Sequence, residues 1–263
     1  MRLAAVGDNC VDRLAPSGRA LIGGNAVNVA VQWARLGHEA HYFGAVGPDA
    51  EGRLTRATLA KQGVEVARLV TRGSHTAFTE IEIAPDGERH MRAEDFGACA
   101  GYRPLAGDLR LLAGMDHVHI GWLDDGGAVR RALAAVGVSV SQDISVNARP
   151  EDLGVEGLAL VFLSSEGDHA QARALAAALR RRGARDVVVT RGAAGSSVFV
   201  GDTDAAIPAA SVAVCDTTGA GDSYIAGFLA ALIGGAAPEA AGRRGAALAA
   251  LTCRHEGGFP QDD

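Results

Sequence analysis

An α/β fold, a doubly wound and mainly parallel sheet flanked by helices, is predicted by three observations on this 263-residue sequence. Short apolar strands alternate with helical stretches along almost the whole chain, the signature of repeated β-α units. The helical stretches stop at glycines such as Gly37, Gly63 and Gly183, as helices commonly do. Glycine-rich turns follow strands, where an open sheet of this kind binds its ligands. Hydrophobic residues make up 48% of the chain, enough for a sizeable core and too many for a disordered one.

Taken in order, Leu3–Val6 reads as a buried strand leading into the polar turn Gly7-Asp8-Asn9-Cys10 and Asp12. Asp8, Asn9 and Asp12 are candidates to bind ligand hydroxyls; for Asp8 and Asn9 an Asx turn is an equal alternative. Ser17–Ile22 reads as a connection. Gly23-Gly24-Asn25 then opens a helix whose apolar stripe runs through Val27, Ala30, Trp33 and Ala34. Glycines there let a ligand approach the backbone, and Asn25 and Asn28 can both donate to and accept from a sugar hydroxyl. A tight turn capped by Asn25 would also explain Gly24, but not Asn28. A strand at His41–Val46 and a helix over 50–62 follow. The alternation from Thr76 to Met91, around Pro85-Asp86-Gly87, predicts a β-hairpin, either a small lid that excludes water or a plain edge hairpin.

Beyond the hairpin the β-α alternation resumes. Helices are predicted near Leu105–Leu112, Gly126–Val136 and Gln171–Arg182, and strands at His117–Gly121, Val138–Gln142, Leu158–Leu163 and Asp186–Thr190. The last of these strands runs into a second glycine turn, Gly192 to Gly195. Short strands are expected at Ser196–Val200 and Ser211–Val214. Asp216–Gly234, DTTGAGDSYIAGFLAALIG, carries the most chemistry. If a helix begins near Asp222, the backbone N–H groups of Gly219, Ala220 and Gly221 converge on a point suited to an anion. The positive end of the helix dipole would favour Asp222 as a carboxylate. Donors for a moving phosphoryl group and a base beside them are what phosphoryl transfer to a hydroxyl requires. Asp222 as a simple N-cap is the alternative. Pro238 starts a final Ala-rich helix running to about Arg254, and the glycine-rich tail after it cannot extend that helix.

The net charge of −6, with acids and bases interspersed, makes nucleic acid a poor partner. Four scattered cysteines without a CxxC pair suggest neither disulfides nor a structural metal, and a reducing cytoplasm is the simplest expectation. The opening MRLAAVGDNC reads as a strand rather than a signal peptide, and no stretch has the length of a membrane span. A phosphate loop of the GxxxxGK[ST] type is absent, because the single lysine, Lys61, precedes Gln62.

DTTGAGDSY, together with GGNAVNVAVQWARLG at Gly23 to Gly37, resembles the two signatures of the PfkB (ribokinase-like) family of carbohydrate and nucleoside kinases. The resemblance implies a single ribokinase-like domain over 1–263, with a β lid from about 13–22 and 76–95. It implies transfer of the γ-phosphoryl group of ATP to a primary sugar hydroxyl, with Asp222 as base and Gly219, Ala220 and Gly221 as anion hole. Asp12, Gly24 and Asn28 match the family's sugar-binding positions. Thr190, Gly192 and Gly195, with Gly219 and Gly221, match its nucleotide site. The pairing of GDNCVD at Gly7 to Asp12 with GGNAVNVAV is similar to members acting on fructosamines, which implies the 6-hydroxyl of fructoselysine as acceptor, with fructose, a 2-keto sugar acid or a nucleoside as alternatives. His90, Arg92 and Glu94 would then be candidates to supply counter-charges for an amino-acid arm, with ordinary solvated lid charges as the alternative. Two departures stand out. The family's NxxE motif, which organises water around Mg²⁺, reads Ser164-Ser165-Glu166-Gly167-Asp168, so Glu166 is the indirect metal candidate. A sugar-contact asparagine of ribokinases is Cys10 here, which argues against ribose. A sugar and ATP are the expected partners; closure of the lid against a second subunit is left open.

Overall fold

The computed structural model describes residues 1–15, 17–83, 89–147 and 149–261. The chain opens with β1 (Arg2–Val6), β2 (Cys10–Ala15) and β3 (Arg19–Gly23), then α1 (Asn25–Arg35), β4 (Glu39–Val46), α2 (Ala50–Lys61) and β5 (Glu65–Thr71). The hairpin strands are β6 (Phe78–Ile83) and β7 (Arg89–Asp95); the turn expected at Pro85-Asp86-Gly87 lies outside the described residues. α3 (Ala106–Leu112), β8 (His117–Ile120), α4 (Ala128–Ala135), β9 (Val140–Asp143), β10 (Leu160–Ser164), α5 (His169–Arg181) and β11 (Asp186–Thr190) continue the alternation. β12 (Ser196–Val200), β13 (Thr203–Ile207), α6 (Ala220–Ile233) and α7 (Pro238–Thr252) complete it.

Nine strands form one sheet in the order β13-β12-β11-β10-β9-β8-β1-β4-β5. Every pair from β5 to β11 is parallel; β12 and β13 add an antiparallel edge. Central strands such as β8 are buried along their whole length, as strands covered on both faces must be. One face, with Leu3, Ala5 and Tyr42, packs against α1, α6 and α7 around Trp33, Ile225 and Phe228. The opposite face, with Ala4, Val6 and Phe43, packs against α3, α4 and α5 around Leu112, Leu133 and Ala176. The fold is therefore the predicted helix-sheet-helix sandwich. β1 lies between β4 and β8, so the strand order reverses beside it, and the crevice at the carboxyl ends of β1 and β8 is where such folds bind ligands.

A second, four-stranded sheet has the order β3-β2-β6-β7. It joins the expected hairpin to β2 and β3; the residues alone read there as a turn and a connection, whereas the family resemblance implied a β lid from about 13–22 and 76–95. β2 and β3 pair antiparallel, Cys10 opposite Gly23, and β2 runs parallel to β6, Val11 opposite Phe78. β5 was also unexpected. Only Leu69 of its seven residues is buried, so it carries almost no apolar pattern to read. The apolar Ser211–Val214 is no strand; Val214 is 61% exposed, and the sheet edge is β13 instead.

Candidate active site

Two helix N-termini meet at the crevice. α1 starts abruptly at Gly24, whose φ of 111° suits glycine and whose added Cβ would lie 2.6 Å from Cα of Asn9. Its cap comes from the β1 loop: the Asp8 carboxylate accepts from the amides of Asn25 at 2.8 Å and Ala26 at 3.1 Å. Asn9 donates through Nδ2 to the Ala45 carbonyl at 2.7 Å and the Tyr42 hydroxyl at 3.1 Å. Asp8 and Asn9, candidates to bind hydroxyls, and Gly24, matched to a sugar-binding position, thus also have scaffold roles, while Asn9 Oδ1 is buried without a partner among the described residues. They join β1, β4 and α1 and so aim the first turns of α1.

α6 starts from a turn built on Asp216. Oδ1 of Asp216 accepts from the Thr218 amide and hydroxyl, and Oδ2 from the Gly257 amide at 2.9 Å. Gly219, at φ 71°, caps α6; a Cβ there would lie 2.5 Å from Cα of Gly258 and 3.0 Å from Nδ2 of Asn28. The Ala220 amide donates to the Thr217 carbonyl, so it belongs to the turn and is not one of three convergent anion donors. Gly221 is exposed, and a side chain there would meet nothing within 4 Å, so its backbone faces open space.

Asp222, on the first turn of α6, lies between the two α1 asparagines. Oδ1 accepts from Asn25 Nδ2 at 2.5 Å and Oδ2 from Asn28 Nδ2 at 2.7 Å. Trp33 donates to the Ala226 carbonyl, fixing α1 against α6 one turn further along. The Oδ1 atoms of Asn25 and Asn28 are buried without a partner among the described residues, and buried acceptors of this kind suit hydroxyl donors. Asp12 and Asn28 flank Gly23: Asp12 Oδ2 and Asn28 Oδ1 lie 3.9 and 3.8 Å from the position of an added Cβ there. Cys10 Sγ contacts Thr79 Oγ1 at 3.1 Å, joining β2 to β6.

Burial pushes the Asp222 carboxyl up to about 8, and the nearby carboxylates of Asp143 and Asp8 add to the rise, against the lowering effect of the asparagine donors. The expectation of a carboxylate stabilised by the helix dipole is therefore corrected: desolvation prevails. Asp143, at the end of β9, was missed by the sequence reading. It is buried, accepts from the Ser145 amide and lies 3.4 Å from Asn25 Nδ2. Its signal was legible, as an acid at the carboxyl end of a strand.

The other predicted residues lie along the same sheet edge. Thr190 Oγ1 meets Ser164 Oγ at 2.9 Å, and the Gly192 turn leads to Ser196, whose hydroxyl meets that of Tyr224 on α6 at 2.7 Å. Gly195 backs directly onto the Ile207 carbonyl, while Gly192 is open on its side-chain face. Glu166 is exposed in a shallow hollow of about 490 Å³ with Ser165 and Gln171. Asp168, beside it, caps α5 by accepting from Gln171. Among the described residues no three His, Cys, Asp or Glu side chains gather to hold a metal, so a direct coordination set does not fit this edge. On β7, Arg92 is ion-paired with Glu82.

The glycine-rich tail, for which the sequence reading assigned no structure, closes the site from behind. Phe259 is fully buried, Gln32 donates to the Gly258 carbonyl, and a Cβ on Gly258 would collide with the Asn28 side-chain amide. Gln261 bonds both the amide and the carbonyl of Ile22 on β3.

Among known proteins, the chain is similar to the fructoselysine 6-kinase of Escherichia coli, 33% identical over 98% of this chain and 99% of that one. A fructosamine kinase of Bacillus subtilis is 32% identical over 98% and 93% of the two chains. In fold it superposes on Arabidopsis thaliana ribokinase complexed with ribose and ATP, with a TM-score of 0.89 at 23% identity, covering 98% of this chain and 95% of that one. The pfkB family carbohydrate kinase pattern matches residues 2–121 and 156–261, from β1 through the tail. A match of that extent, with relatives of nearly equal length, makes this chain a member of the pfkB family of carbohydrate kinases.

Proposed function

We propose that this sugar kinase transfers the γ-phosphoryl group of ATP to the 6-hydroxyl of a fructosamine, with fructoselysine the leading acceptor. The observation that carries the chemistry is the Asp222 carboxylate held between the amides of Asn25 and Asn28 at the start of α6. The acceptor hydroxyl approaches Asp222, its oxygen bonds to the γ-phosphorus, the bond to the β–γ bridging oxygen breaks, and the proton passes to Asp222 as ADP leaves. Asp12, Asn25 and Asn28 orient the sugar. The open backbone at Gly221 and the Thr190–Gly195 edge take the phosphates. Mg²⁺ would neutralise phosphate charge; Glu166 is assigned only a water-mediated contact with it, and no step is drawn through the ion. The four-stranded sheet acts as the lid. The choice of fructosamine rests on the names of the two relatives that match along almost their whole length.

An ADP-release assay with fructoselysine, fructose, a 2-keto sugar acid and a nucleoside tests this. Fructoselysine is expected to give the highest kcat/KM; fructose turning over far better would sink the fructosamine assignment. Equal rates for wild type and Asp222→Asn would sink the mechanism.

A further inference from the structure

Asp143 has no part in the reaction as written above, yet it is the acid that reaches the reacting carboxylate through a single side chain. It ends β9, next to Phe162 of β10, and its buried carboxyl shares the Asn25 amide with Asp222: Nδ2 lies 2.5 Å from Asp222 Oδ1 and 3.4 Å from Asp143 Oδ2. Two oxygens on one nitrogen at these distances are within about 6 Å of each other, where like charges disfavour joint ionisation.

The neighbouring charges do not relieve that repulsion. Asp8, behind α1, also acts on Asp222 as an anion. On β8, His117 and His119 bond to Ser141, two residues before Asp143, but burial pushes both rings down to about 3, so they are neutral. Asn25 and Asn28 contribute neutral donors only. Asp143 receives the Ser145 amide, which fixes its direction without adding a full charge.

We propose that Asp143 is a positioning residue for the phosphoryl-transfer base: through the shared Asn25 amide it sets the orientation and the proton affinity of Asp222. This rests on the reading of Asp222 as base. Asp143 touches neither acceptor nor nucleotide. It anchors the Asn25 amide, and burial raises Asp143 as well as Asp222, so the two carboxyls disfavour each other's ionisation and Asp222 binds its proton more tightly wherever Asp143 is ionised. The result is a stronger base for the acceptor hydroxyl, available over a narrower alkaline range.

The test follows Asp222 directly by carboxyl ¹³C NMR during a pH titration of the whole protein, its signal identified by loss in Asp222→Asn. The pH profile of kcat/KM for fructoselysine is recorded alongside. In Asp143→Asn the Asp222 midpoint should fall by about one pH unit, with the acid limb of kcat/KM moving with it. Asp143→Glu should restore most of the shift. A midpoint and limb that stay in place, with any loss of rate uniform across pH, overturn the proposal. Should Asp143→Asn fail to fold, the wild-type titration decides: a second inflection in the Asp222 curve, from a coupled acid, is expected, and a single inflection overturns it. If the wild type phosphorylates none of the four acceptors, the kinase mechanism fails, while the NMR midpoints still decide whether Asp143 governs Asp222.

Discussion

Asp222 combines two demands on one side chain: it is buried enough to hold its proton up to about 8, yet it must lose that proton to act as a base. The free-enzyme profile of kcat/KM is therefore expected to rise through about pH 8, as measured by ADP release across pH 6–10. The same shift bears on stability. In the unfolded chain an aspartate ionises near its ordinary value of 3.8, whereas the folded state keeps Asp222 protonated to about 8. The native state thus binds more protons between those limits, so this group's contribution to stability falls as pH rises from about 4 to 8. Asp222→Asn, which cannot ionise, is expected to melt higher than wild type at pH 8.5, with the gap narrowing towards pH 5. The same variant should lose about 10²- to 10⁴-fold in kcat, the usual contribution of a positioned base. Thermal melts at the two pH values and steady-state rates check the pair.

At the scale of elements, the site is a junction of helix N-termini held by groups distant in sequence. α1 is capped by Asp8 from the preceding strand, and α6 is seated by Asp216, the tail and the Trp33 bond. α1 and α6 were legible because glycines mark their starts and apolar residues run through them. The carboxylate that caps α1 was not legible as a cap, because it lies 17 residues before Asn25. The tail matters most at Gly258, which abuts the Asn28 amide. Gly258→Ala is expected to push that amide off Asp222 and lower kcat by about 10²-fold, the scale of a 1 Å misplacement, while KM for ATP stays near wild type. Steady-state kinetics on both substrates checks it, and an unchanged kcat would show that Asn28 is not held from this side.

Over the whole molecule, β1 divides the sheet so that the crevice opens where the loops after β1, β8 and β9 meet the first turns of α1 and α6. The tail then ties β3 to α1 through Gln261, Gly258 and Phe259, joining the small sheet to the core. Phe259→Ala is expected to cost about 3–5 kcal/mol in chemical denaturation, as for a fully buried aromatic ring. The alternation of strands and helices, the helix start at Asn25, the start of α6 to within two residues of Asp222 and the identity of the acid on α6 were legible in the sequence alone, because periodicity, glycine placement and helix-end chemistry are local. β5 and the pairing of β2 and β3 with each other and with β6 were decided across the chain, which leaves little apolar pattern in a half-exposed strand; residues 13–22 were assigned to a β lid only through the family resemblance. The proton affinity of Asp222 and the presence of Asp143 beside it were decided only by the tertiary structure. Desolvation and the repulsion of like charges depend on distances between residues far apart in sequence, and no spacing along the chain records them.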